Sequence, residues 1–208
     1  MPTLTLFSRG TNGPDLYFCA DHGEAEQVCS LLCQGTDQPF RLLAFQVEDW
    51  NRDLSPWPAP PVFRDQAFAG EARQTLQWLR QNVDPSVPRR CIGGYSLAGL
   101  FSLWAFYETD LFTGAASCSG SLWFPGWTEY AQSKSAPQGG ALYLSLGEKE
   151  PKARNPQMAR VGVCTEAQYA LAQSQGLDTT FRWHPGGHFQ DPEARMAAGF
   201  LWLLEQLS

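Results

Sequence analysis

Cleaving an acyl bond without a metal takes a nucleophile, a base to remove its proton and a group to hold that base in place. Residue types suited to all three occur along this chain. The stretch Arg90-Cys91-Ile92-Gly93-Gly94-Tyr95-Ser96-Leu97-Ala98-Gly99-Leu100 places one serine between small residues, after a short apolar run and before an apolar helical pattern. This spacing predicts a sharp strand-to-helix turn that lifts the Ser96 hydroxyl above a sheet. In so tight a turn the side chains two positions before and after the serine nearly collide. Gly94 and Ala98 keep that space open.

A serine hydroxyl is a weak nucleophile until a base takes its proton, and histidine titrates near neutrality. The chain has three histidines. His188 is the candidate base, because Gly186-Gly187 let a loop histidine reach across to Ser96. His184 stands closer to a strand end and reads as core or supporting. Two carboxylates, Glu148 and Glu150, follow another strand in Gly147-Glu148-Lys149-Glu150, and either can orient the imidazole. Glu150 is favoured by its three-residue offset from Gly147. A metal held by His184 and His188 needs both on one helix face, which Pro185-Gly186-Gly187 excludes. No metal is expected.

Negative charge developing on a carbonyl oxygen needs backbone N–H donors. Leu97, directly after Ser96, offers one. The turn Asp21-His22-Gly23-Glu24, after an early strand, offers a second from Gly23 or Glu24. Tyr95, Trp123, Phe124 and Trp127, with part of the Trp50–Trp57 segment, are expected to line a substrate pocket.

The elements that must position these residues alternate. Strands are expected at Leu4–Phe7, Leu16–Ala20, Phe40–Val47, Cys91–Ile92, Phe112–Cys118, Ala141–Leu146 and Thr179–Trp183. Helices are expected at Glu24–Gln34, Phe68–Val83, Leu97–Tyr107, Thr165–Gly176 and Pro192–Leu207. Trp50–Phe63 is too dense in proline for regular structure. Residues 121–140 read as a small cap or irregular insertion. Such alternation implies an α/β fold, a mostly parallel central sheet with helices on both faces, formed by one domain over residues 1–208.

Composition narrows the function classes. The 208 residues carry a formal net charge of −6 with no basic run beyond Arg89-Arg90, which argues against nucleic acid. No apolar run approaches the roughly 18 residues of a membrane helix, and the first residues lack a signal-peptide pattern. A cytoplasmic location is expected. Six cysteines without CxxC spacing read as small buried thiols. Oligomeric state is not legible.

Taken together, His22-Gly23, Gly94-Tyr95-Ser96-Leu97-Ala98-Gly99, Gly147-Glu148-Lys149-Glu150 and Gly186-Gly187-His188-Phe189 resemble the α/β-hydrolase superfamily, with nucleophile, acid and histidine in that chain order. The resemblance is closest to small serine esterases related to esterase D and the siderophore esterases. It implies hydrolysis of a small-molecule carboxylic ester through an acyl-enzyme, with no cofactor. Ala98 stands where glycine is commoner, and glutamate where aspartate is usual. Some siderophore esterases are described as working with a Ser-His dyad, so the acid is the softest assignment. The same residues would also serve an acyltransferase, a thioesterase or a peptidase. A non-catalytic binding protein on this scaffold would have no need of a strained serine.

Overall fold

The computed structural model describes residues 3–10, 12–62 and 66–207. In chain order the elements are β1 (Leu4–Arg9), β2 (Asp15–Cys19), α1 (His22–Gly35), β3 (Phe40–Phe45), α2 (Trp50–Leu54), α3 (Ala72–Asn82), β4 (Arg90–Tyr95), α4 (Leu97–Glu108), β5 (Gly114–Cys118), α5 (Trp127–Gln132), β6 (Ala141–Gly147), α6 (Val161–Ser174), β7 (Asp178–His184) and α7 (Pro192–Gln206). The strands form one sheet in the order β1-β3-β2-β4-β5-β6-β7. Every neighbouring pair is parallel except β1 with β3 at one edge. This is the mostly parallel α/β sheet that the alternation of elements predicts.

Strand periodicity divides the core into two halves. Tyr17, Ile92, Leu142, Leu144 and Leu146 face one side, where they pack with residues of α3, α4 and α6. Leu16, Phe18, Cys91, Ala116 and Tyr143 face the other, against α1 and α7. Side chains alternate across a strand, so a strand apolar on both faces must be covered on both. The central strands β2, β5 and β6 are buried along their whole length. α4 is buried from Leu97 to Tyr107, which holds the turn before it rigidly in the core.

Four expectations need correction. The proline-rich stretch begins with α2, whose N-terminus is capped by Asp49 accepting from the Arg52 N–H at 2.9 Å; the prolines come after it, and Phe63 lies outside the described residues. The helix expected from Phe68 starts at Ala72, because Phe68 pairs with Ala59 in a short antiparallel bridge and Gly70 turns the chain at φ +81°. Residues 121–140 contain α5. Cys33 is exposed and Cys29 only partly buried, whereas the other four cysteines are buried; all six are free thiols.

Among the described residues no helix is long and apolar enough to cross a membrane, and no group of three or more His, Cys, Asp or Glu could hold a metal ion.

Candidate active site

Parallel sheets collect ligands beyond the carboxyl ends of their strands. The ends of β4, β6 and β7 bring Ser96, Glu150 and His188 together. Ser96 joins β4 to α4 at φ 58° and ψ −122°, outside the regions L-residues favour. The turn is held from both sides: the Ser96 N–H donates to Cys118 O at 3.1 Å, and the Ser96 carbonyl accepts from Gly99, Leu100 and Ser121. A Cβ on Gly94 would fall 2.3 Å from the Ala98 carbonyl oxygen, so only glycine fits there.

His188 Nε2 lies 3.1 Å from Ser96 Oγ, and His188 Nδ1 lies 2.8 Å from Glu150 Oε2. These contacts fit an imidazole with its proton on Nδ1 toward the carboxylate and Nε2 free to accept from the serine. Glu150 is 7% exposed and enters a single 3₁₀ turn, Glu150–Lys152. Its second oxygen, Oε1, accepts from Ser119 Oγ at 2.7 Å and the Gly147 N–H at 2.6 Å. Burial pushes the Glu150 carboxyl up, but hydrogen bonds from His188, Ser119 and Gly147 outweigh it and hold the group below its ordinary value. Glu148 is exposed, and its backbone N–H is engaged by His184 O.

His184 contacts Tyr143 OH at 3.3 Å, away from Ser96. Burial, then the charges of Arg195 and Arg182, push its pKa down. It does not border the Ser96 cavity.

Two residues without any sequence signal complete the cluster. Arg195, near the start of α7, is 2% exposed. Its Nη1 donates to Tyr95 OH (3.0 Å), Ser119 Oγ (3.1 Å) and Glu150 Oε1 (3.3 Å). Its Nη2 donates to the carbonyls of Pro185 (3.0 Å) and Gly187 (2.9 Å). One guanidinium thus ties the acid to the loop that carries the histidine. Ser119, at φ 45° just past β5, holds the acid from below. An arginine in an amphipathic helix pattern ordinarily reads as a solvated residue, and the pattern alone could not have singled it out.

Ser96, Glu150 and His188 open on a cavity of about 610 Å³. Its walls include Trp123, Met158, Val161 and Phe189, with Lys149 and Arg154 also bordering it. Of the expected pocket residues, Trp123 lines this cavity and the other three do not. Tyr95 turns beneath His188, its hydroxyl donating to His188 O at 2.7 Å; burial pushes its phenol up to about 12, which keeps it a donor. Phe124 packs edge-on against Phe68 and Trp57, and Trp127 packs against Tyr107 and Tyr130. Both face a neighbouring cavity of about 550 Å³. Trp57 is likewise a packing residue, donating from Nε1 to Pro125 O at 2.8 Å. Phe124 and Trp127 are almost fully buried, their rings engaged by these aromatic neighbours rather than by the Ser96 cavity.

Leu97 is the first residue of α4, so its N–H has no acceptor within the helix and points out of the positive end of the helix dipole. Gly23 and Glu24 do not border the Ser96 cavity. They form the first turn of α1, where Asp21 Oδ1 accepts from the Glu24 N–H at 2.8 Å and Glu24 Oε2 accepts from the Asp21 N–H at 3.0 Å. This reciprocal cap uses up the Glu24 donor.

No family model matches the sequence, and no curated protein does. Solved structures match over nearly its whole length. An IroE-like serine hydrolase from Shewanella oneidensis superposes with a TM-score of 0.81 at 15% identity, covering 99% of this chain and 76% of that one. The chain has the α/β-hydrolase fold. Other solved structures agree. The siderophore hydrolase EstB from Aspergillus nidulans matches with a TM-score of 0.68 at 17% identity, over 97% of this chain and 88% of its own. The enterobactin esterase FES from Shigella flexneri matches with a TM-score of 0.69 at 22% identity, over 99% of this chain and 56% of its own. In an α/β-hydrolase the nucleophile turn follows a central strand and the histidine loop follows the last one. Here Ser96 follows β4, in the middle of the sheet, and His188 follows β7 at its edge.

Proposed function

We propose that this chain is a serine hydrolase that cleaves a carboxylic ester through an acyl-enzyme on Ser96. The reading is carried by one observation: an unbroken hydrogen-bonded line from Ser96 Oγ through His188 to Glu150 (3.1 and 2.8 Å), ending at a strained serine that faces a cavity. A serine held in this strained conformation, φ 58° and ψ −122°, costs roughly 1–3 kcal/mol and supports a functional turn.

The steps follow from the geometry. Ser96 Oγ attacks the ester carbonyl as His188 Nε2 takes its proton. Glu150 holds the ring through Nδ1 and stabilises the imidazolium. The Leu97 N–H and the positive end of α4 face the oxygen on which negative charge develops. Collapse expels the alcohol, which takes its proton from His188 and leaves the acyl group on Ser96. Water, deprotonated by His188, then attacks the acyl-enzyme, and release of the acid restores the serine hydroxyl. None of these steps calls for a cofactor. The names of the similar structures, a siderophore hydrolase and an enterobactin esterase among them, agree with ester cleavage.

The test is fluorophosphonate labelling together with a chain-length series of aryl esters, on wild type and Ser96→Ala. Wild type should label at Ser96 and turn over the esters, and the variant should do neither. Undiminished turnover by Ser96→Ala, or no labelling of wild type, would defeat the proposal. Thioester and amide substrates, and an added alcohol acceptor, in the same assay separate an esterase from a thioesterase, a peptidase or an acyltransferase using the same residues.

A further inference from the structure

One wall of the Ser96 cavity is out of character with the rest of the chain. The whole sequence has 15 Lys and Arg against 21 Asp and Glu. Residues 149–160 nonetheless hold Lys149, Lys152, Arg154 and Arg160 with a single acid, Glu150. That acid is spent inward, on His188, Ser119, the Gly147 N–H and Arg195. Among the described residues, Arg9, Arg41, Arg52, Arg73, Lys134 and Arg195 each pair with a carboxylate; these four cations do not, nor do Arg80, Arg89, Arg90 and Arg182, but only Lys149 and Arg154 of these border the Ser96 cavity.

The backbone explains how two of them reach the cavity. Lys149 stands two residues past the end of β6, at the carboxyl end of the strands where Ser96 also lies, and its N–H is fixed by Gly186 O at 3.0 Å. The segment then folds through two single 3₁₀ turns, with Asn155 Oδ1 accepting from the N–H groups of Gln157 and Met158. This brings Lys149 and Arg154 to the lining beside Ala153, Met158 and Val161. Of the acids at this end of the sheet, Glu148 is exposed beside Lys149 but does not border the cavity, and Glu24 and Glu193 border a separate small recess with Tyr95. Unpaired lysines are ordinarily a solvated surface. Lys149 and Arg154 are exposed too, but they border a cleft with apolar walls, where field lines are focused.

We infer that the ester cleaved at Ser96 carries a negatively charged group, which Lys149 and Arg154 receive while the apolar wall receives the uncharged part. The inference rests on the reading of Ser96 as the acyl-accepting nucleophile. Arg154 supplies a planar fork suited to a carboxylate, and Lys149 a mobile point charge.

Four esters test it, in two pairs that differ only in charge. The mono-para-nitrophenyl ester of adipic acid is compared with para-nitrophenyl hexanoate, which puts the charge on the acyl side. The butyrate ester of para-hydroxybenzoate is compared with that of its methyl ester, which puts it on the alcohol side. At low salt, one charged ester should exceed its neutral partner in kcat/KM by about tenfold or more, with the preference shrinking at high salt. The double variant Lys149→Gln/Arg154→Gln should bring that ratio close to one. Arg80→Gln, which removes an exposed cation of α3 away from the cavity, should leave it unchanged. Equal or better turnover of both neutral esters overturns the inference and leaves the hydrolase reading standing. So does a preference that survives the double variant, and so does labelling of Ser96 without turnover of any of the four. Absence of both labelling and turnover overturns the hydrolase reading, and this inference with it.

Discussion

Replacing Arg195 with Met keeps much of the side-chain volume and deletes every hydrogen bond of one buried guanidinium. Two backbone carbonyls, of Pro185 and Gly187, then lose a donor at 3.0 and 2.9 Å. A buried acceptor left unsatisfied costs about 1–3 kcal/mol, and these lie in a partly exposed loop where water can help, so about 1 kcal/mol each is reasonable. Glu150 loses its cationic neighbour, a change that costs about 3–5 kcal/mol when a buried pair is broken. It keeps its bonds from Ser119, Gly147 and His188, which argues for the low end. The sum is about 5 kcal/mol. At roughly 2–4 °C per kcal/mol for a domain of this size, Tm should fall by about 10–20 °C. The catalytic effect is separable from the loss of stability. The loop that carries His188 loses its anchor, and a shift of about 1 Å in a reacting group can cost about a hundredfold in rate. Measured well below the lowered Tm, kcat for an aryl ester should therefore fall by one to two orders of magnitude on the same principle, with KM little changed because Arg195 does not line the cavity. Arg195→Lys, which restores the charge but not the fork that spans both carbonyls, should recover part of the stability and little of the rate. A Met variant with wild-type Tm and wild-type kcat would refute the idea that this guanidinium holds the acid and the histidine loop together.

Three further perturbations probe other parts of the structure. Glu150→Gln keeps the shape but cannot stabilise an imidazolium, so kcat should drop about 10²–10⁴-fold while Ser96 still labels slowly with a fluorophosphonate. Because the folded pKa of Glu150 is held below its ordinary value, its contribution to stability is present above that ordinary value and is lost as pH falls through the folded one. Acid unfolding as pH falls below the ordinary glutamate value should accordingly be steeper for wild type than for Glu150→Gln, as read by Tm against pH. Gly94→Ala drives a Cβ to 2.3 Å from the Ala98 carbonyl oxygen; the expected cost is about 3 kcal/mol or more, read as a lowered Tm together with weakened labelling of Ser96. Arg41→Met strips the partner from Asp15, which is fully buried and bonded to Arg41 at 2.6 and 2.9 Å. That should cost about 3–5 kcal/mol in chemical denaturation without altering kcat per folded molecule, since the pair sits at the opposite end of β2 from the site.

Local order made much of this protein legible from its residues. The Gly94-Tyr95-Ser96-Leu97-Ala98 string demands a tight turn for steric reasons that act within five residues, and the structure has that turn with the collision at Gly94 it implies. Alternating strands and helices follow from periodicity, and with them the parallel sheet whose carboxyl ends gather Ser96, Glu150 and His188. Where the reading failed, the deciding contact was remote in sequence or the local signal had two solutions. Phe124 and Trp127 are as apolar as any pocket wall, and only packing against Trp57, Phe68, Tyr107 and Tyr130 assigns them to the core. Glu24 looked available as a donor until the cap with Asp21 claimed its N–H. Arg195 and Ser119 meet Glu150 across 45 and 31 residues of chain, and no periodicity or spacing encodes such a meeting. Backbone sterics and the hydrophobic pattern act on neighbours, so a sequence displays them. Which buried polar groups satisfy one another depends on where whole elements come to rest, and only the folded chain decides it.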